Sequence, residues 1–133
     1  MERIRALDGE NIIIVTNNIV LTSDVVDANR AACRELMQQM TGPIALVIDY
    51  RDIQTSFADI MQILRGNQAG KRADMNARMF TIFVGQDKFV QMYRDAMSQP
   101  QFGGVQVPCF TGMDDALKAA RVYLANESQE ESA

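Results

Sequence analysis

Short apolar runs and one-sided apolar stripes take turns along this chain. Ile4 to Leu7 and Asn11 to Thr16 flank Asp8-Gly9. Asp-Gly tolerates positive φ at both turn positions, so these segments predict an antiparallel hairpin. Thr22 or Ser23 then caps a helix near 24–40, with Asp24 and Asp27 close to its positive end. Val25, Val26, Ala32, Cys33, Leu36, Met37 and Met40 give that helix an apolar stripe, and Gly42-Pro43 ends it.

Ile44 to Ile48 is unbroken apolar sequence leading into Asp49-Tyr50-Arg51-Asp52, the pattern of a buried parallel strand with polar residues at its C-terminal end. Ser56 and Asp59 form a capping-box-like pair opening a helix near 56–70, which carries Phe57, Ile60, Ile63 and Leu64 and is weakened by Gly66 and Gly70. Met79 to Val84 is the next strand, closed by Gly85. Asp87 caps a helix near 87–98, with Pro100 at its end. Val105 to Phe110 is a last strand interrupted by Pro108, and Thr111 with Asp114 caps a helix near 112–125. Strands alternating with helices at this spacing imply right-handed crossovers. The expected fold is α/β: about five strands in a mostly parallel sheet, an N-terminal antiparallel hairpin and four helices. It forms a single domain over 1–126, followed by a disordered acidic tail at 127–133.

Composition narrows the chemistry. None of the 133 residues is histidine, and the two cysteines, Cys33 and Cys109, stand far apart. Imidazole is the usual general base near neutral pH and the commonest metal ligand. No catalytic residues, cofactor or metal site is therefore expected, and the domain is read as not an enzyme. A net charge of −4 argues against broad nucleic-acid binding. No apolar run approaches a membrane span and no signal-peptide core follows Met1, so a reducing cytoplasm is the expected location.

Three segments carry a resemblance to the STAS family of sulfate-transporter and anti-sigma-factor-antagonist domains, and to the related CRAL-TRIO-like group of small bacterial proteins. Ile44-Ala45-Leu46-Val47-Ile48-Asp49 resembles the family's central strand. The helix from Phe57 to Leu64 follows it as expected. Phe110-Thr111-Gly112-Met113-Asp114-Asp115-Ala116-Leu117 is similar to the closing pattern of Phe, a capping residue, acids and Ala-Leu. The resemblance implies a non-catalytic regulatory domain that works through protein contacts, as a homodimer or with a protein partner. Where antagonist-type members carry a phosphorylated Asp-Ser-Ser-Gly segment, this chain has Phe57-Ala58-Asp59-Ile60, so that switch does not carry over.

Two residue sets are candidates for binding. Asp49, Arg51 and Ser56 lie where open α/β sheets take ligands, outside the C-terminal strand ends. A phosphoacceptor role for Asp49 would also need an acidic pair after the first parallel strand and a lysine ending the last. Asn17-Asn18 and Pro108-Cys109-Phe110 supply neither. An Arg–carboxylate pair and a capping box explain the same residues without a ligand. Arg65, Lys71, Arg72, Met75 and Arg78 form a locally basic, methionine-containing segment suited to an acidic partner surface; a solvated face is the alternative. Nine methionines also admit a rival function, a carrier of a small apolar ligand or lipid. A carboxylate enzyme using Asp49 and Asp52 is the third.

Overall fold

The computed structural model describes residues 4–16, 20–66, 78–100, 104 and 106–132, with the backbone alone for 128–132. Five strands form one sheet: β1 (Ile4–Ala6), β2 (Ile12–Thr16), β3 (Ile44–Asp49), β4 (Met79–Val84) and β5 (Cys109–Phe110). The described residues hold four helices: α1 (Ser23–Met37), α2 (Phe57–Gly66), α3 (Lys88–Met97) and α4 (Met113–Ser132). Strand order follows the chain, β1-β2-β3-β4-β5; β1 runs antiparallel to β2, and every other pairing is parallel. The expected α/β sheet with its hairpin is thus present, and β3 lies at its centre.

Because the parallel strands are laid down in order, same-handed crossovers carry α1, α2 and α3 onto one face. Side-chain alternation along the strands separates the two cores. Ile13, Val15, Leu46 and Phe83 face those three helices, while Ile12, Ile14, Ala45, Val47, Ile82 and Val84 face α4 through Ala116 and Ala120. The small alanines let α4 lie close to the sheet. Phe80 stacks on Tyr123 at 4.5 Å, and Arg121 donates to Glu10 at 2.8 Å, joining α4 to the hairpin loop.

Several boundaries differ from the sequence expectation. The hairpin loop runs from Asp8 to Asn11, closed by Leu7 N–H donating to Ile12 O, with Gly9 at φ +73°. Asn11 precedes β2: its Nδ2 donates to the carbonyls of Thr41 and Pro43, tying the hairpin loop to the loop after α1, while its own carbonyl accepts from Ala45 N–H. Thr22 caps α1, its hydroxyl accepting from Val25 N–H, and the helix stops at Met37, before Met40. The last strand shrinks to Cys109–Phe110 because Pro108 has no N–H to give a ladder, although its carbonyl accepts from Phe83. The cap expected at Thr111 and Asp114 does not form among the described residues; Gly112 holds the cap position, its carbonyl accepting from Ala116. Helix α4 runs past the expected end near 125 to Ser132, over glutamate- and glutamine-rich sequence of good helix propensity.

Candidate functional site

Strand β3 ends at the rim formed by the C-terminal ends of the parallel strands. Asp49 is buried there, and its carboxylate is fully engaged by Arg51. One oxygen accepts from the Arg51 backbone N–H and from Nε, both at 3.0 Å, and the other accepts from Nη2 at 2.8 Å. Burial pushes the Asp49 pKa up, but the hydrogen bonds and charge of Arg51 outweigh it and hold the carboxyl below its ordinary value. The same pairing raises Arg51. This fork–fork geometry makes the pair a turn clamp at the strand end. Beside it, Gly85 at φ +134° brings β4 against the Tyr50–Arg51 backbone, where an added Cβ would meet the Tyr50 carbonyl carbon at 3.2 Å.

Ser56, the third predicted ligand residue, pairs within its own helix. Its hydroxyl donates to Asp59 and accepts from the Asp59 backbone N–H, which is the capping arrangement that opens α2. Asp49 and Arg51 are therefore joined to each other, and Ser56 to Asp59. Next to this cap the rim exposes apolar surface. Phe57 is 58% exposed, and Val20, bridged to Gln54 three residues before Phe57, is 50% exposed.

The predicted basic segment is distributed differently. Arg65 is exposed in the last turn of α2, where its charge complements the helix dipole. Arg78 sits just before β4, at the opposite rim from Asp49, about 20 Å away along a six-residue strand. Its guanidinium donates to the carbonyls of Met37, Met40 and Gly42, at the end of α1 and in the loop that follows it. It acts as the C-terminal cap of α1. Lys71, Arg72 and Met75 lie outside the described residues.

A different group of residues surrounds a cavity of about 50 Å³ between the first half of α1 and the C-terminal ends of β2, β3 and β4. Asn29, Arg30, Tyr50, Thr81 and Tyr93 contribute to its wall, together with Phe83 and Met97. The Arg30 side chain is 15% exposed, and its Nη1 stands 3.7 Å from the exposed Asp27. Two buried polar residues are described, Asp49 and Thr81. Asp49 has its full set of donors, whereas the Thr81 hydroxyl, on a residue only 8% exposed, has no hydrogen-bond partner among the described residues. Sequence reasoning passed over this group, although two signals were present. Thr81 is the lone polar residue of the Met79–Val84 run, and Arg30 falls on the Val26–Cys33–Met37 stripe at spacings of four and three. Among the described residues no three Cys, Asp or Glu side chains gather to hold a cation.

No family model matches the chain, and neither does any curated protein sequence. The architecture does find a counterpart. An uncharacterized protein of the DUF3478 family from Shewanella loihica PV-4, described as having a SpoIIAA-like fold, aligns over 88% of this chain and 90% of its own, with TM-score 0.58 and 13% identity. The fold is SpoIIAA-like. That agrees with the STAS resemblance of the β3, α2 and α4 segments, and at this identity the likeness concerns the fold alone. Within the SpoIIAA-like frame, no described helix is long and apolar enough to cross a membrane.

Proposed function

We propose that the chain is a non-catalytic STAS-like domain of the cytoplasm that acts through protein contacts, pairing with a second copy or with a regulatory partner. The observation that carries this reading is the apolar rim at the start of α2. Phe57 and Val20 present large exposed hydrophobic surface on two neighbouring segments, beside a capped helix end. Exposed aromatic surface rimmed by polar residues is what an interface core needs. Arg65 in the last turn of α2, with Lys71 and Arg72 close behind it in sequence, favours an acidic counterpart. The rival reading, a carrier of an apolar ligand or lipid, calls for an enclosed space of roughly 300–1,000 Å³. The space beneath α1 is about 50 Å³, and the larger clefts, about 750 Å³ beside Glu10 and Arg121 and about 620 Å³ beside Phe80 and Tyr123, lie open to solvent.

The test compares the wild type with Phe57→Ser and with Lys71→Glu/Arg72→Glu by sedimentation velocity and by affinity capture. Phe57→Ser keeps the wild-type thermal midpoint, since Phe57 is exposed and such substitutions shift stability by under about 0.5 kcal/mol; the midpoint of the double variant is measured alongside. Both lose self-association or the captured partner. Unchanged sedimentation together with unchanged capture in both variants overturns the reading.

A further inference from the structure

We propose that the cavity beneath α1 binds a short neutral carbonyl compound, its oxygen accepting from the Thr81 hydroxyl and its hydrocarbon body lying against the apolar wall. This goes beyond the contact role proposed for the rim, and neither depends on the other.

Thr81 carries the inference. It pairs with Leu46 across the β3–β4 ladder, so both side chains leave the sheet on the same face, and alternation along β4 puts Phe83 there too. Leu46, Thr81 and Phe83 all line the cavity. Thr81 is 8% exposed, and its hydroxyl meets no hydrogen-bond partner among the described residues. A buried donor is nearly always paired, and leaving one unpaired is costly, so this one calls for an occupant with an acceptor. The other polar residues around the cavity, Asn29, Arg30, Tyr50 and Tyr93, are each engaged in an interaction of their own.

Size and wall chemistry then select the occupant. A water-sized body takes about 10–15 Å³ on this scale. A space of about 50 Å³ therefore admits a body of roughly three to five heavy atoms, the size of acetone or butanone and far below a lipid. Water itself is a poor match, since a buried water needs about two to four polar partners, and Val15, Leu46, Ile48 and Phe83 offer it none. An anion would be stripped of its hydration against the same apolar wall. An alcohol shares one hydrogen bond with Thr81 and leaves one of the two O–H donors unpaired. A carbonyl oxygen takes the Thr81 proton donor and brings no donor of its own, so every donor in the pair is met. Burial pushes the Cys33 thiol of this wall up to about 11, so it stays protonated and the carbonyl is held without being attacked.

The experiment is an NMR titration of the full-length protein with acetone, alongside 2-propanol, sodium acetate and the larger ketone 4-heptanone. Acetone is expected to give saturable amide shifts around Leu46, Thr81 and Phe83, with a dissociation constant on the order of 10 mM for so small a ligand. 2-Propanol and acetate, each with as many heavy atoms as acetone, bind at least about threefold more weakly, and 4-heptanone gives no saturable shift there. Thr81→Val deletes the hydroxyl at nearly constant shape. It keeps or raises the thermal midpoint, because no protein group loses a partner, and weakens acetone about fivefold. Xenon, which needs only the space, binds the variant as it binds the wild type. Should Thr81→Val fail to fold, the ranking of the four probes decides. Absence of saturable shifts at about 200 mM acetone, 2-propanol or acetate binding as tightly as acetone, 4-heptanone binding at the same residues, or unchanged acetone affinity in Thr81→Val overturns the assignment.

Discussion

Arg78 Nη2 donates to the Met40 carbonyl at 2.9 Å, fastening the residue that leads into β4 to the chain leaving α1. The same guanidinium reaches the carbonyls of Met37 and Gly42, and the Arg78 carbonyl accepts from Ile44 N–H at 2.8 Å. One residue thus closes a helix end with its side chain and links the starts of two adjacent strands with its backbone. Arg78→Met keeps the aliphatic stem but removes all the donors. It is expected to lower stability by about 1–2 kcal/mol, read as a lower urea midpoint with an unchanged slope. A variant indistinguishable from wild type would show that water caps α1 equally well.

Gly85 supports a second prediction. At φ +134° a side chain is strained, and its Cβ would also press on the Tyr50 and Arg51 backbone at 3.2 and 3.3 Å. Gly85→Ala should cost about 1–3 kcal/mol. Gly9 also has positive φ but opens into free space, so Gly9→Ala meets only the conformational cost at its own φ of +73°, about 1–2 kcal/mol. Thermal unfolding of both variants should find Gly85→Ala the less stable.

Acid should loosen the rim and the hairpin together. Asp49 and Glu10 both sit below their ordinary carboxylate pKa values in the fold. Asp49 does so against its own burial, through Arg51; Glu10 does so chiefly through the hydrogen bond from Arg121. A depressed carboxyl contributes stability above its unfolded pKa, and that contribution fades as pH falls through the folded value. Stability should therefore hold from neutral pH down to about pH 5 and decline below about pH 4. Asp49→Asn should flatten that decline. An equally steep decline in the variant would place the acid sensitivity elsewhere.

The two thiols should be told apart by alkylation. Cys33 is buried, and loss of solvent pushes its pKa up to about 11. At pH 8 only about one Cys33 in a thousand is thiolate, the reactive form. Cys109 is half-buried, its S–H donating to the Gly85 carbonyl at 3.2 Å. Iodoacetamide at pH 8 should label Cys109 first, and mass spectrometry of the digest should find Cys33 unmodified until denaturant is added. Early labelling of Cys33 would mean that α1 opens readily.

Local signals were legible where one element carried the whole message. The unbroken apolar run Ile44 to Ile48 announced a strand buried on both faces, and Ser56 with Asp59 announced a helix start. Both pairings form as read. Asp49 and Arg51 are two residues apart, and their closure into a fork is likewise local. Signals failed where the partner is distant. Arg78 belongs to a basic stretch by sequence, but its acceptors lie 36 to 41 residues earlier. Arg30 and Thr81 each look ordinary, one a charge on a helix and the other a β-branched residue in a strand. Only the packing of α1 on the sheet brings them to one cavity. Pro108 signalled an interrupted strand, and the price of its missing N–H was most of β5.

The division of helices between the two sheet faces bears on how the molecule is made. Helices α1 to α3 are interleaved with the strands, so their face is covered as synthesis proceeds. The opposite face, with Ile12, Ile14, Val47 and Ile82, is covered by α4, which follows every strand in the chain. Until residues beyond 113 emerge, a nascent chain carries a finished sheet with one greasy side bare. Such a species is prone to aggregate or to engage a chaperone. For this fold, the final helix is a cover that arrives last, and a ribosome stalled just before it would leave the stickiest intermediate.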